Sequence, residues 1–267
     1  MKIKKTFEKL EISGKKALIP FVTAGDPNYD LSLEILKVIS KSGADIIELG
    51  MPFSDPMADG PSIQKANERS IKNGFNMNIL FKLVREFRKF DSTIPIVLMG
   101  YMNPIEAYGF DNFVGKLVDC KIDGLLIVDS PPEESSEIKE KLSKNHIDLI
   151  FLLSPTSTND RIKMVSDIAS GYVYYVSLKG VTGSKNININ EVKEKIDSIK
   201  SLVNLPVGVG FGINEPDVAK KVSSLADGVI VGSKIINEIE KYHTVSSEKC
   251  IHNIKNLISS FRFAIDN

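Results

Sequence analysis

The residues Gly43-Ala-Asp-Ile-Ile-Glu-Leu-Gly50 form a turn followed by a short apolar run that ends in glycine, and this pattern decides the fold. Weak echoes of it recur at Ile122-Asp-Gly-Leu-Leu126 and at Ala226-Asp-Gly-Val-Ile230. In each copy, turn residues lead into an apolar segment of strand length. The recurrence predicts a repeated unit in which a loop feeds a buried β-strand.

Outward from these copies, short apolar runs alternate with amphipathic segments along the whole chain. Leu31–Ile39 places its apolar residues on one helical face, and Arg161–Ile168 and Asn190–Leu202 do the same. Thr158 is predicted to cap the start of the second of these helices. Continuous apolar runs are typical of parallel strands that are covered on both faces. The eight runs are Ala17–Thr23, Ala44–Gly50, Pro95–Tyr101, Gly124–Asp129, Asp148–Ser154, Tyr172–Ser177, Pro206–Gly212 and Gly228–Ser233.

Eight strand–helix alternations without a long linker predict one α/β domain over residues 1–267, a closed (β/α)8 TIM barrel. The length of 267 residues is close to the ~250 typical of that fold. An open, doubly wound sheet is the alternative, although about five or six strands are usual there. Met1–Leu10 and Ser246–Ala264 are predicted to be extra helices, one closing the bottom of the barrel and one packing beside the last strand.

Composition narrows the class of protein. Lys and Arg together number 34, as do Asp and Glu, so overall charge does not favour nucleic acid or an anionic membrane as a partner. Cys120 and Cys250 lie in no ligand pattern, and His146, His243 and His252 are scattered, which predicts neither disulfides nor a metal site. With no secretory signal and no apolar stretch of ~18 residues, we expect a cytoplasmic protein.

Glu48 is the first candidate catalytic residue. Side chains alternate along a strand, so Ile46, Glu48 and Gly50 share one face while Ile47 and Leu49 share the face suited to the helices. Glu48 is therefore expected inside the barrel near its upper rim, where active sites of this fold form. Desolvation there would raise its pKa and suit it to acid–base chemistry. The alternative is a salt bridge to a neighbouring strand.

The loop Met51–Pro61 follows this strand and carries Asp55 and Asp59 among prolines and a glycine. Its composition predicts an ordered but non-helical segment above Glu48. Two carboxylic acids that converge on one pocket can have their pKa values driven apart, which provides one acid and one base. Either Asp could instead make the local hydrogen bonds of an ordinary turn.

Glycines mark the last two strands. Gly208, Gly210 and Gly212 share a face and would leave space for a ligand, unless they only alternate in size with neighbouring packing layers. Strand eight is predicted to run directly into a helix, where Gly232 and Ser233 present backbone N–H groups that suit a phosphate. The loops after strands seven and eight are the usual phosphate site of these barrels.

The segment Leu178–Asn188 follows strand six and is rich in glycine and small polar residues. Such a composition is typical of a lid that closes over a substrate, and Thr182 and Gly183 could donate to a phosphate or to a catalytic carboxylate. Tyr172 and Tyr174 share one face of strand six. Tyr175 lies on the other face, and alternation does not decide which of the three reaches the pocket, so packing is the default role for any one of them.

Together these residues resemble the tryptophan synthase alpha-subunit family, and the resemblance runs from about Phe7 to the final helix. The stretch from Glu48 through Pro61 is highly specific to that family, and the absence of Trp agrees with it. The other matching stretches are Phe21-Val-Thr-Ala-Gly-Asp-Pro27, Ser62-Ile-Gln64, Gly180-Val-Thr-Gly183, Gly208-Val-Gly-Phe-Gly-Ile213 and Val231-Gly-Ser233.

The resemblance implies a lyase that performs the retro-aldol cleavage of indole-3-glycerol phosphate into indole and glyceraldehyde 3-phosphate. It implies that Glu48 transfers a proton to indole C3, that Asp59 holds the indole N–H, and that Tyr174 orients the glutamate. The resemblance also implies the remaining substrate contacts. The residues expected around the phosphate are Gly183, Gly212, Gly232 and Ser233, together with Thr182 of the lid. The residues expected around the indole ring are Phe21, Met99, Tyr101 and Leu152. Met99 stands where many members carry Leu, a swap of similar volume.

The same resemblance implies a beta-subunit partner in an αββα complex, to which indole passes. Pyridoxal phosphate is expected on that partner, and no cofactor is expected in this chain. The expected contact segments are Pro52–Asp59, Asn103-Pro-Ile105 and Asp129-Ser-Pro-Pro-Glu-Glu134. Leu178 replaces the Arg of many members, which puts the lid contacts in doubt.

Three alternatives stay open at this point. A stand-alone indole-glycerol phosphate lyase would share every catalytic residue and release free indole. A different phosphate-binding barrel enzyme is disfavoured by the pairing of Glu48 with Asp59 in its Pro-Phe-Ser-Asp-Pro context. A catalytically silent scaffold is disfavoured by the intact candidate residues.

Overall fold

The computed structural model describes residues 1–177, 189–210 and 212–267. Within these ranges, eight parallel strands close into a barrel in chain order, and the last strand pairs with the first. The strands are β1 (Ala17–Thr23), β2 (Ile47–Gly50), β3 (Ile96–Gly100), β4 (Gly124–Ile127), β5 (Asp148–Leu153), β6 (Val173–Val176), β7 (Val207–Gly210) and β8 (Gly228–Val231). The predicted barrel is confirmed, and most strands are shorter than the apolar runs that predicted them.

Helices surround the barrel. They are α1 (Lys2–Ile12), α2 (Tyr29–Lys41), α3 (Pro61–Lys72), α4 (Met77–Phe90), α5 (Met102–Tyr108), α6 (Phe110–Asp119), α7 (Ser136–Lys144), α8 (Asn159–Ile168), α9 (Ile189–Leu202), α10 (Pro216–Ser223), α11 (Ser233–Tyr242) and α12 (Ser247–Asp266), with a 3-10 turn at Pro132–Glu134. The Thr158 side chain accepts a hydrogen bond from the Arg161 N–H and so caps α8 as predicted. Among the described helices, none combines the length and hydropathy needed to span a membrane.

The two terminal helices form where they were predicted. Ile3, Phe7 and Leu10 of α1 join the core inside the barrel and close its bottom, with the Phe7 and Tyr172 rings 5.8 Å apart. Helix α12 packs mainly against α2, α10, α11 and β1. It therefore covers the seam where β8 meets β1 rather than the last strand alone.

Two apolar cores result from the alternation of side chains along each strand. The outer core lies between the strands and the helices and includes Ile47 and Leu49. The inner core fills the barrel and includes Ile46, Val97 and Tyr172. Glu48 has the same orientation as Ile46, so the sequence places a carboxyl group inside the barrel wall.

The aspartates of the three sequence echoes have one common role at the lower edge of the barrel. Asp45 donates its backbone N–H to the Leu18 carbonyl, and its Oδ2 accepts the Leu18 N–H at 2.8 Å. The same reciprocal pair joins Asp123 to Ile96 and Asp227 to Val207. Ser170 makes it with Leu149 through its hydroxyl oxygen, although no sequence echo marks it. Each pair ties the segment before an even-numbered strand to the preceding odd-numbered strand.

Candidate active site at the carboxyl ends of the strands

Glu48 lies inside the barrel with no solvent exposure. In register it stands between Phe21 of β1 and Val97 of β3. The Tyr172 hydroxyl donates a hydrogen bond to its Oε1, while Oε2 has no partner within the described residues. Burial raises the pKa of Glu48 to about 8, and the Tyr172 hydrogen bond opposes that rise. A carboxyl group with this pKa carries its proton at neutral pH and can exchange it, as acid–base catalysis requires.

Asp59 is the second carboxyl group of the site. It lies in the non-helical loop between β2 and α3, and Asn67 Nδ2 donates to its Oδ2 at 3.3 Å. Desolvation raises the pKa of Asp59 to about 6, while hydrogen bonds from Asn67 and Tyr101 act in the opposite direction. Asp59 is therefore mainly ionised at neutral pH while Glu48 is mainly protonated. The site thus holds one acid and one base.

The structure separates the two aspartates that the composition of the loop left equivalent. Asp55 is exposed, and the Ser54 hydroxyl donates to its carboxylate within the same turn. Asp59 instead lines a cavity together with Phe21, Met99 and Tyr174. The turn interpretation therefore describes Asp55, whereas Asp59 faces the space where a substrate could bind.

The tyrosine that touches Glu48 differs from the expected one. Tyr174 was expected to orient the glutamate, but the hydrogen bond recorded in the described part of the chain comes from Tyr172. Both side chains point into the barrel and both are buried. Tyr174 stands one layer higher, where its hydroxyl lies over Gly210 and its ring lines the cavity. Its position therefore suits substrate contact better than support of Glu48.

The inward glycines serve packing as well as ligand space. A Cβ on Gly210 would lie 2.1 Å from the Tyr174 hydroxyl oxygen, and one on Gly50 would lie 2.7 Å from Phe21 Cζ. On Gly208 it would meet Ile230 at 3.0 Å. The size-alternation interpretation therefore accounts for Gly208 and Gly210. Of the three glycines of strand seven, Gly212 is the one that lines the cavity.

The predicted phosphate side is formed by the segments after β7 and β8. Gly212 adopts a positive φ of 74°, which favours glycine, and lines the cavity with Gly232 and Ser233. Helix α11 begins at Ser233 immediately after β8, as predicted. Gly232 and Ser233 at this helix start line the same cavity as Asp59, and the start of a helix favours an anion.

The remaining expected contacts divide into three groups. Phe21 and Met99 line the cavity, and Tyr101 lines an adjoining one with Asp59. Leu152 pairs with Tyr174 across β5 and β6 and packs on the inner core, outside the cavity lining. Thr182 and Gly183 lie outside the described residues, as do Leu178 and the rest of the predicted lid.

Sequence reasoning missed Asn67 and Ile63 of α3, which both line the site. Their spacing of four residues placed them on one helical face, and this was the available signal. Nothing in the sequence showed that this face of α3 turns toward Asp59. Tyr172 was noticed but left without a role, because the residues alone gave it no partner.

The fold and site define a (β/α)8-barrel protein with a buried carboxyl group, Glu48, inside the barrel and a second one, Asp59, lining a cavity at the ends of the strands. The sequence profile of the family described as "Tryptophan synthase alpha chain" matches residues 7–265. The tryptophan synthase alpha chain of Dechloromonas aromatica is 49% identical over 265 residues, covering 99% of this chain and 98% of the relative. That of Nitrosospira multiformis is 48% identical, with coverages of 99% and 94%.

Solved structures give the same result. Tryptophan synthase subunit alpha from Legionella pneumophila superposes with a TM-score of 0.92 at 43% identity, covering 100% of this chain and 98% of that one. A chain of Mycobacterium tuberculosis tryptophan synthase superposes with a TM-score of 0.88 at 29% identity, with coverages of 98% and 97%. The chain belongs to the tryptophan synthase alpha chain family. The predicted family and its lyase activity in tryptophan biosynthesis are thereby confirmed.

Proposed function

We propose that Glu48 and Asp59 carry out the retro-aldol cleavage of indole-3-glycerol phosphate in this chain. The observation that carries the proposal is that Tyr174, which lines the cavity with Asp59, lies near both carboxyl groups: the buried Glu48, with a pKa of about 8, and Asp59, with a pKa of about 6. Between these values Glu48 holds a proton to give and Asp59 holds a charge that can accept a hydrogen bond. The cleavage needs both at the same pH.

The protonated Glu48 gives its proton to C3 of the indole ring, and positive charge develops toward the ring nitrogen. The Asp59 carboxylate accepts a hydrogen bond from the indole N–H and stabilises that charge. Glu48, now a carboxylate, removes the proton of the glycerol hydroxyl next to the ring. The bond between C3 and the glycerol carbon then breaks, and its electrons return to the ring. The products are indole and glyceraldehyde 3-phosphate, and Glu48 regains its proton.

Binding contacts follow from the lining of the cavity. The indole ring lies on the side of Phe21 and Met99, with Tyr101 near Asp59 and Leu152 supporting Tyr174 in the wall. The phosphate lies at Gly212, Gly232 and Ser233, where backbone N–H groups and the start of α11 favour an anion. Thr182 and Gly183 of the lid segment complete the site in this proposal. The chain needs no cofactor for this chemistry, because each step moves a proton or breaks one carbon–carbon bond.

A beta subunit is the partner in this proposal, and pyridoxal phosphate belongs to that subunit. The three expected contact segments follow β2, β3 and β4, which are neighbours in the barrel. Two hydrogen bonds join the first and third segments to the residues just before the second: the Ala58 N–H donates to the Tyr101 hydroxyl at 3.1 Å, and the Met102 N–H donates to Asp129 at 2.8 Å. Met57 projects from the first segment with 78% of its surface exposed. In this proposal the three segments form one surface that binds the beta subunit. We also propose that the chain and this partner act in the cytoplasm.

The test is the release of indole from indole-3-glycerol phosphate by the purified chain, with and without a purified beta subunit. We expect slow release by the chain alone, faster release with the partner, and near loss of activity in Glu48→Gln. Full activity in Glu48→Gln would refute the mechanism. Equal rates with and without the partner would instead favour a stand-alone lyase that releases free indole.

A further inference from the structure

Helix α3 holds Asp59 through two of its residues. Gln64 Nε2 donates to the Asp59 backbone carbonyl at 2.8 Å, and Asn67 Nδ2 donates to Asp59 Oδ2 at 3.3 Å. Asn67 is 3% exposed, so water does not compete for this amide. Asp59 itself lies in a segment without helix or strand, between β2 and α3. Its carboxylate is therefore held by Asn67 of α3 together with Tyr101, which follows β3.

The following turns of the same helix are tied to the segment after β1. Arg69 makes two hydrogen bonds to Asp26, Nε to Oδ1 at 2.7 Å and Nη2 to Oδ2 at 2.8 Å. The Ser70 hydroxyl donates to the Ala24 carbonyl at 2.7 Å, and Asn73 Nδ2 donates to the Pro27 carbonyl at 2.5 Å. We call these contacts of Arg69, Ser70 and Asn73 with residues 24–27 the α3 clamp.

The charged part of the α3 clamp is held in a rigid geometry. The Asp26 side chain has no exposed surface and that of Arg69 is 18% exposed. A two-point bond between a guanidinium and a carboxylate fixes both distance and angle, which a lysine in the same place would not do. Breaking one partner of such a pair leaves a buried charge without compensation. The position of α3 relative to β1 is therefore tightly defined.

Strand β1 also carries Phe21, which lines the cavity opposite Asp59. The α3 clamp therefore fixes the position of Asp59 relative to β1, the strand that provides the apolar wall of the cavity. We propose that Asn67 is a positioning residue for Asp59, and that the bond between Asp26 and Arg69 fixes the helix from which Asn67 acts. This inference rests on the proposed function, because Asp59, the residue that Asn67 positions, is the carboxylate proposed to bind the indole N–H.

The first test compares Asn67→Ala and Asn67→Asp with Glu68→Gln, an exposed position on the same helix. Loss of a hydrogen bond to a charged group is expected to lower kcat by about tenfold or more. The substitution also removes an interaction that favours the charged form of Asp59. The acidic limb of the pH profile should therefore move to higher pH in Asn67→Ala, whereas Glu68→Gln should match the parent.

A double-mutant cycle separates positioning from general damage to the fold. In an Asp59→Asn background, Asn67→Ala should cause little further loss, because the carboxylate that it positions is gone. Equal losses in both backgrounds, or no shift of the acidic limb, would overturn the inference. Asn67→Asp keeps the side-chain volume but places a second carboxyl group beside Asp59, so it should move the acidic limb to higher pH at least as far as Asn67→Ala does, and it retains the test if Asn67→Ala folds poorly. Thermal unfolding of each variant records its fold independently.

Arg69→Lys tests the clamp. This variant keeps the positive charge but loses the two-point bond to Asp26. We therefore expect kcat to fall while Tm changes little. An unchanged kcat would show that the clamp does not reach Asp59. The proposed function is judged separately: if Glu48→Gln and Asp59→Asn keep full activity, that function fails, whereas if only the Asn67 and Arg69 variants behave like Glu68→Gln, the positioning inference fails alone.

Discussion

The hydroxyl of Tyr172 donates a hydrogen bond to Glu48 across the interior of the barrel, and neither side chain has any exposed surface. Tyr172 rests in turn against the Phe7 ring of the helix that closes the bottom. The Glu48 carboxyl group is therefore supported from below, by residues at the bottom of the barrel. Its other oxygen, Oε2, is buried without a hydrogen-bond partner among the described residues, and in the proposed function it is the atom that exchanges the proton.

Replacing Tyr172 by Phe should shift the alkaline limb of the pH profile. The hydroxyl favours the charged form of Glu48 and lowers its pKa, so its loss should raise the pKa above about 8. The form that protonates indole C3 would then persist to higher pH, and the alkaline limb should move upward. The measurement is kcat against pH for the cleavage reaction. Tyr175→Phe is the matched control, because that ring lies on the outer face of the same strand, and a shift of equal size there would contradict the assignment.

The two aspartates of the loop after β2 should behave differently when each becomes Asn. Asp59→Asn removes the group with a pKa of about 6 and should abolish the acidic limb together with most activity. Loss of a charged hydrogen bond to the substrate corresponds to roughly 1.5–3 kcal/mol. Asp55→Asn changes an exposed turn and should keep the cleavage rate of the chain alone. Comparable losses in both variants would indicate that the loop matters only as a whole.

Gly210→Ala should damage the site without touching either carboxyl group. The new Cβ would fall 2.1 Å from the Tyr174 hydroxyl oxygen, so the tyrosine must move. Overpacking of this kind typically costs about 1–3 kcal/mol of stability. We expect weaker binding of the substrate, seen as a raised KM, along with a lower Tm. Gly115→Ala, in the helix α6, is the control, since its Cβ would meet nothing within 4 Å.

Asp148→Asn should stabilise the protein at neutral and alkaline pH. Burial raises the pKa of Asp148 above 3.8, and a hydrogen bond from the Ser170 hydroxyl opposes that rise only in part. A raised pKa means that the folded state holds the proton more tightly, so stability is lost as pH rises through the folded-state value. The variant should gain about 1–3 kcal/mol in the free energy of unfolding at pH 8 and show little gain near pH 3.

Asp123→Asn, on the same edge of the barrel, should change the free energy of unfolding in the opposite direction. Its carboxylate accepts the Ile96 N–H and pairs with Arg88 at 2.7 Å, so its replacement should lower the free energy of unfolding at pH 8. Urea denaturation of both variants at the two pH values measures these changes. A destabilised Asp148→Asn at pH 8 would show that its carboxylate is better satisfied than the geometry indicates.

Local pattern was sufficient for the strands and for the inward direction of Glu48, because alternation along one strand determines which face a side chain joins. It was insufficient for contacts across the barrel. Tyr172 and Tyr174 share a face, and only the relative heights of β2 and β6 decide which hydroxyl meets Glu48. Those heights are set by the register of the closed sheet, which no short segment encodes.

The same limit explains Asn67 and the glycines. Asn67 could not be predicted as a site residue from the sequence. In our inference the orientation of α3 depends on the Asp26–Arg69 bond, which joins residues from different units of the barrel. For Gly210 the sequence left both ligand space and size alternation open, because a missing side chain does not reveal which neighbour fills the gap. Composition alone could not separate Asp55 from Asp59 either, since both occupy one loop of prolines and glycine.

The four reciprocal pairs at the lower edge, Asp45 with Leu18, Asp123 with Ile96, Ser170 with Leu149 and Asp227 with Val207, recur once for every two strands. The barrel thus carries one reciprocal pair in each quarter, in addition to single backbone hydrogen bonds that join neighbouring quarters, such as the Asp148 N–H to the Asp123 carbonyl. New chain ends placed between quarters, as in the turn before β3, would leave every pair intact. The architecture therefore lends itself to circular permutation at those junctions, while a cut between the two strands of one quarter would separate a pair.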